Sequence, residues 1–375
     1  MGYFIILIMS WLDSLISKGK GIILTLIAFA WMAYLGGAAS PNTTLDYAGY
    51  QYYYDLLVKE LPGNRLEWLY TSLSEIAISH NFEYAEFRLW LICVTFIILF
   101  IAVLRLTEKP IVFAALFLIF PFFNEVTQVR SFVAYSLVLF GLSFLKKLTI
   151  MNIIIFEFIV WLGIGFHSSA AIFVLIPVIQ FFVQKVGIKK ASHSATVFTI
   201  IFSLVLLVTS RVSVIVNLIA SMLEIIAGSS VSITFINLMN HSSNRKTFFL
   251  IALLSYAVFQ WYLSNIGNEL FDNDKQVQVP YAQYSLLIMG EMLLPLLLLS
   301  DQLQRFQRIG IEGGLLIVGT LFLREKRNKD NTAYIFIIKV LIFVFISMYI
   351  YYGLTDLNTD FPNSIPYIAH LVSES

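Results

Sequence analysis

From Pro121 to Pro177 the chain is almost continuously apolar, and two short polar marks interrupt it. One is Gln128-Val129-Arg130, about one turn into a predicted helix. The other is Gly165-Phe166-His167-Ser168-Ser169-Ala170, between two apolar runs. A guanidinium inside a lipid-facing run costs roughly 2.5–3.5 kcal/mol on insertion scales, so it persists where it meets water, a partner or an anionic ligand. Arg130 opens the run Val126 to Leu145, which closes on Lys146-Lys147. Positive pairs mark the cytoplasmic end of a span, so Arg130 is expected near the outer end. The next stretch, Ile150 to Gln184, would be roughly 52 Å long as one straight helix, against a hydrocarbon core of about 30 Å. It must break, and Gly163 and Gly165 are the natural place. His167 then lies level with Arg130, at the outer face.

Composition sets the class. Of 375 residues 59% are hydrophobic and 13% charged, more apolar surface than a soluble domain hides. The chain therefore reads as all-α, a single polytopic membrane domain over residues 1–375. A net charge of +1 argues against a nucleic-acid partner. Cys93 is the one cysteine, which excludes a disulfide within the chain and a thiolate metal cluster. There is no Gly-rich phosphate loop, no His/Cys cluster with metal spacing and no internal repeat.

Charge sidedness yields a path. Tyr3 to Ser17 and Gly21 to Gly37 flank Lys18 and Lys20, an inner joint. Residues 37–85 form an acid-rich outer loop, in which Arg65 to Ile78 reads as an amphipathic surface helix. The same loop carries Asp46-Tyr47, Tyr50 and Tyr52-Tyr53-Tyr54. These tyrosines suit an interfacial belt or a glycan-contacting surface. Phe87 to Leu104 returns inward to Arg105 and Lys109, and Ile111 to Phe123 comes out to Asn124-Glu125. After the central stretch, Lys185, Lys189 and Lys190 lie inside and Ala195 to Ser210 runs out to Arg211. Val212 to Gly228 reads as a span or a surface helix. Phe248 to Ser264 then goes out, Asn265 to Val279 forms an outer loop, and Tyr281 to Ser300 goes in to Arg305 and Arg308. Ile311 to Leu323 is too short to span and is expected to dip into the inner leaflet. Tyr334 to Tyr352 is the last span, so the path has about twelve.

Arg130 is the sharpest candidate, as a planar fork matched to phosphate oxygens; a structural ion pair with Glu125 or Glu157 is the alternative. Arg211, also at an expected outer end, reads as a second cation or a snorkelling anchor. Glu157 and Glu291 lie mid-span, as relay acids or as neutral hydrogen-bonded carboxyls. His167 is suited by its ordinary pKa to take a proton near pH 7, or else orients a hydroxyl. Asp46 competes for the same role.

These residues together resemble the EpsG/Wzy-like family of bacterial polysaccharide polymerases, the enzymes of O-antigen, capsule and exopolysaccharide assembly. The likeness rests on Asp46-Tyr47 with Tyr50 to Tyr54, on Glu67 with Tyr70, on Gln128-Val129-Arg130, and on His167 to Ala170. A late span with Pro295 and a terminal Pro366-Tyr367 agree more loosely. The family's Arg-Gln pair is here Arg130-Ser131, and Gln283 rather than Arg precedes Tyr284, which moves an expected cationic contact to Arg211. The resemblance implies a glycosyltransferase C-like fold in the bacterial inner membrane, with the active site facing the periplasm. It implies an inverting transfer of an undecaprenyl-diphosphate-linked glycan to the next lipid-linked repeat unit, needing neither metal nor cofactor. His167 and Asp46 would be catalytic, and Arg130, Arg211, Gln128, Glu67 and Tyr53 would bind substrate. A flippase and a chain-length regulator are the implied protein partners. A ligase moving the glycan to another lipid has nearly the same chemistry. A lipid-oligosaccharide flippase is the remaining rival, and the lack of repeated halves counts against it.

Overall fold

Backbone polar groups in a membrane must be satisfied within their own segment, which leaves helices as the answer to long apolar runs. The computed structural model describes residues 2–16, 20–39, 46–63, 66–208, 246–273, 280–300, 303–328 and 330–354, with a few isolated positions between them. Among these all regular structure is helical.

The first half runs α1 (Gly2–Ile16), α2 (Ile22–Gly37), α3 (Tyr47–Val58), α4 (Trp68–Ser79), α5 (Tyr84–Leu106), α6 (Pro110–Ile119), α7 (Phe122–Thr127), α8 (Val129–Leu142) and α9 (Ile150–Ile164). A 3-10 segment, Ser168–Leu175, leads into α10 (Ile176–Val186) and α11 (Ile188–Val208). The second half has α12 (Lys246–Asn273), α13 (Tyr281–Met292), a 3-10 segment (Leu294–Leu298), α14 (Gln304–Asn328) and α15 (Asp330–Leu354). Six helical stretches among the described residues are long and apolar enough to cross a membrane, and the shorter apolar helices include α1, α2, α6, α8 and α9. Large hydrophobic side chains stand exposed around the rim, such as Ile150, Ile154 and Phe158 on α9. Such a surface belongs against lipid rather than water. The centre is filled by α6, buried throughout, and by the apolar length of α14.

The bundle has two ends. At one, Lys109 Nζ donates to Ser14 O at 2.7 Å, Gln180 Nε2 to Leu145 O at 2.7 Å and Gln283 Nε2 to Leu106 O at 2.8 Å. At the other, Arg88 Nη2 donates to Gly36 O at 3.1 Å and to Val126 O at 2.8 Å. Successive long helices alternate between these ends. The break between α9 and the following 3-10 segment falls where the glycines placed it, and His167 sits at the turn.

Several expectations from charge sidedness are corrected. Residues 311–323 do not dip; they continue a helix that begins at Gln304. The expected outer loop from Asn265 begins as helix, since α12 runs on to Asn273. That part of α12 lies toward the Leu106 end, where Tyr284, one residue from Gln283, donates to Leu263 O at 2.9 Å. Arg305 and Arg308 lie at the His167 end, not opposite it. The counting rule assumes that bases face an aqueous loop, whereas these two are met by side chains inside the bundle. The surface helix begins at Trp68 rather than Arg65, and it buries Tyr70, Ser74 and Ala77.

Glycine permits the approach that places the late arginines. A Cβ on Gly310 would stand 2.8 Å from the Gly290 Cα. Without side chains there, α13 and α14 pack backbone to backbone, as small residues allow in membranes. Arg308 is thereby carried to the short break between α7 and α8.

Candidate functional site

At the His167 end, α3 and α4 lie over the starts of α5 and α8. The buried face of α3 is Tyr47, Tyr50 and Tyr54, with helical spacing. Tyr54 stacks on Phe87 at 5.5 Å, and its hydroxyl donates to Phe82 O at 2.8 Å. These tyrosines therefore pack into the fold instead of forming a belt. Tyr53, expected to touch substrate, lies off that face beside Tyr52.

The first turn of α4 is docked on the turn after α9. Leu69 N and Tyr70 N donate to Gly165 O at 2.9 and 3.2 Å. A Cβ on Gly165 would stand 2.7 Å from the Leu69 Cβ, so the site of contact needs glycine. This docking sets Glu67 between two donors. Its carboxylate pairs with the Arg130 guanidinium, and its Oε1 accepts from Ser168 N–H at 3.0 Å. Arg130 thus pairs with Glu67 and not with Glu125 or Glu157. Its Cζ also lies 5.3 Å from the Tyr50 ring centroid, a cation–π contact.

Two arginines not singled out from the sequence complete the cluster. Arg305 Nη1 lies 2.8 Å from His167 Nε2. Arg308 Nε donates to Glu125 Oε1 at 2.6 Å, and its Nη2 donates to Gln128 Oε1 at 2.7 Å. Both arginines and Glu312 share one face of α14, being three and four residues apart. That spacing, just ahead of an apolar run, was the available signal. Arg88 was equally overlooked. It lies in the second turn of α5, at the end that charge sidedness makes the outer one, the same anomaly that exposed Arg130.

His167 has an informative environment. Its Nδ1 lies 2.8 Å from Ser169 Oγ and 3.1 Å from Ser169 N, and Ser169 Oγ lies 3.1 Å from the Tyr135 hydroxyl. A guanidinium and a backbone amide only donate, so both ring nitrogens face donors, Nε2 the Arg305 guanidinium and Nδ1 the Ser169 N–H. A neutral imidazole has a single lone pair, and whichever nitrogen carries it is met by a donor. Burial, with Arg305 and Arg130 adding to it, holds His167 well below the usual imidazole range. Its basic nitrogen is occupied and weakly basic, which suits a positioning group better than a proton acceptor.

Asp46 has the opposite character. It is exposed at the start of α3 and caps no backbone amide there. Surrounding protein nonetheless raises its pKa, although Arg305, Arg130, Arg308 and Arg88 all pull it down. A carboxylate so raised is a better base than an ordinary aspartate.

Of the remaining candidates, Gln128 holds Arg308, and Arg211 and Pro366-Tyr367 lie outside the described residues. Glu291 is embedded elsewhere. Its carboxylate accepts from Thr196 Oγ1 at 2.8 Å and from Gln260 Nε2, the hydrogen-bonded setting expected of a structural carboxyl. Glu157 is half-buried on α9, away from the cluster. Among the described residues no group of three or more His, Cys, Asp or Glu is placed to hold a metal ion.

The family model that matches the chain is that of the EpsG family, over residues 22–363. No curated protein and no solved structure matches it.

Proposed function

The chain belongs to the EpsG family, and on that premise we propose that it is a polysaccharide polymerase working at the outer face of the bacterial inner membrane. The donor is a growing glycan on undecaprenyl diphosphate, and the acceptor is a hydroxyl of the next lipid-linked repeat unit. The acceptor oxygen attacks the anomeric carbon from the face opposite the leaving group. The bond from that carbon to the diphosphate oxygen breaks, the configuration inverts, and the acceptor proton passes to a base.

The observation that carries this reading is the convergence of Arg130, Arg305 and Asp46 beside the His167 turn. Charge develops on the departing diphosphate, and fixed guanidinium groups stabilise it more as the bond breaks. Arg130 and Arg305 take that role. Asp46 takes the acceptor proton, and His167 holds Arg305 in place. The base role is thus assigned to Asp46 because both ring nitrogens of His167 face N–H donors, Arg305 and the Ser169 amide.

Glycan analysis of a strain lacking the protein tests the reading. Single repeat units retained, with the polymer lost, is the expected result. Polymer still made on its lipid carrier but not transferred onward would indicate a ligase. Repeat units accumulating on the cytoplasmic leaflet would indicate a flippase.

A further inference from the structure

Glu67 stands at the N-cap position of α4 yet does not cap its own helix. The amides of Leu69 and Tyr70 in that first turn are taken by Gly165 O, so the carboxylate has no local structural duty. It reaches out and bridges Arg130 to the amide of Ser168. That amide opens the helical run Ser168–Val186, where partial positive charge favours an anion. Arg130 Nε is buried beside this pair and has no hydrogen-bond partner among the described residues, although the guanidinium also meets the Tyr50 hydroxyl. A guanidinium, a helix-opening amide and one unused donor form a seat for an oxyanion with more oxygens than a carboxylate has.

We propose that this seat, built from Arg130 and the Ser168 amide, receives a phosphate of a diphosphate ligand, and that Glu67 is its resident intramolecular occupant, displaced when the ligand binds. The proposal rests on the reading above and deepens it. With the ligand absent, Glu67 neutralises Arg130 and pins α4 across the His167 turn. With a diphosphate seated, phosphate oxygens replace the carboxylate at Arg130 and Ser168 and also reach Arg130 Nε. The displaced carboxylate is repelled by the diphosphate and swings clear, while the Leu69 and Tyr70 amides keep α4 on Gly165 O. The exchange lowers apparent affinity by the fraction of time that the seat is open. An alternative arrangement, in which Glu67 stays and braces Arg130 for the ligand, has the opposite consequence.

The test is binding of inorganic pyrophosphate and, separately, of undecaprenyl diphosphate in lipid nanodiscs, for the full chain and for Glu67→Gln. Glutamine keeps an oxygen for the Ser168 amide and removes the charge. Displacement predicts that Glu67→Gln binds both probes about tenfold more tightly. Tightening for the lipid probe alone would place the isoprenoid chain among the contacts and still support displacement. Equal or weaker binding by Glu67→Gln, where the unaltered chain binds, overturns displacement and leaves the polymerase reading standing. Binding of neither probe by either protein overturns both. If Glu67→Gln does not fold, Glu67→Asp replaces it. Its shorter carboxylate cannot span both donors, so tighter binding than the unaltered chain supports displacement, and unchanged or weaker binding overturns it.

Discussion

Two arginine–glutamate pairs lie close together at one end of the bundle, and they differ in what surrounds them. Arg308 and Glu125 have side chains 1% and 0% exposed, and Gln128 takes a further guanidinium N–H. Arg130 and Glu67 have side chains 18% and 19% exposed, and their partners come from a helix laid over the turn after α9. A sealed pair is costly to break, because one partner's removal strands the other's charge. A partly exposed pair is less costly to break, because water or a ligand can reach it. The first therefore anchors α14 to the α7–α8 break, and the second is free to exchange its anion. The comparison separates scaffold from site although the chemistry is the same.

The largest effect tests the sealed pair. Arg308→Ala should cost roughly 3–5 kcal/mol, a large share of a total near 5–15 kcal/mol. Its signature is loss of folded protein from membranes and a much lower melting temperature in detergent. An Arg308→Ala protein that melts like the unaltered chain would erase the distinction drawn above.

Asp46→Asn comes next, and it should leave the fold intact. The loss in rate should be about 10²–10⁴-fold, as for removal of a general base. The pH dependence has a defined sign. A base works deprotonated, so kcat/KM falls as pH drops through its pKa. That acid limb should lie above the ordinary aspartate value of about 3.9, because the protein packed around Asp46 disfavours its charged form. The limb should vanish in Asp46→Asn; its survival there would assign it to another group.

Arg130→Lys keeps the charge and loses the fork. Rate should fall about 10²–10³-fold, as for a lost transition-state donor, while stability shifts by no more than about 1 kcal/mol. A comparable fall in melting temperature and in rate would make Arg130 scaffold after all.

The smallest effects concern the groups behind Arg305. His167→Gln retains an acceptor for that guanidinium, so its rate should stay within about tenfold of the unaltered chain. A loss as deep as that of His167→Ala would restore His167 as the base. Tyr135→Phe removes the hydroxyl 3.1 Å from Ser169 Oγ. A loss of about 0.5–1.5 kcal/mol, the net value of one hydrogen bond, should appear as a rate change of about 2- to 13-fold.

Much of this was legible in the sequence because membrane spans are written in apolar runs. The break at Gly163–Gly165 and the placing of Arg130 level with the His167 turn follow from order and sidedness, whereas Glu67, and not Glu125 or Glu157, proved to be the partner of Arg130. Arg305 and Arg308 were not legible in the same way. Their bases were counted as loop charges, yet Arg308 is neutralised by Glu125, some 180 residues earlier in the chain. A charge rule that weighs local runs has no access to a partner so distant. The role of His167 was undecidable for a related reason. Its ordinary pKa suits a base, and only the positions of Arg305 and the Ser169 amide show that each ring nitrogen meets a donor. Tyr53 and Tyr50 differ by three positions, and helix phase alone settled which of them meets Arg130.

The central claim is that guanidinium groups at the His167 turn stabilise a departing lipid diphosphate. Its most direct test uses purified protein in liposomes, supplied with an undecaprenyl-diphosphate-linked repeat unit. Each new glycosidic linkage should release one undecaprenyl diphosphate, and Arg130→Lys at equal protein level should form linkages about 10²–10³-fold more slowly. Linkage formation by Arg130→Lys at the unaltered rate, or linkages formed without release of the lipid diphosphate, would contradict it.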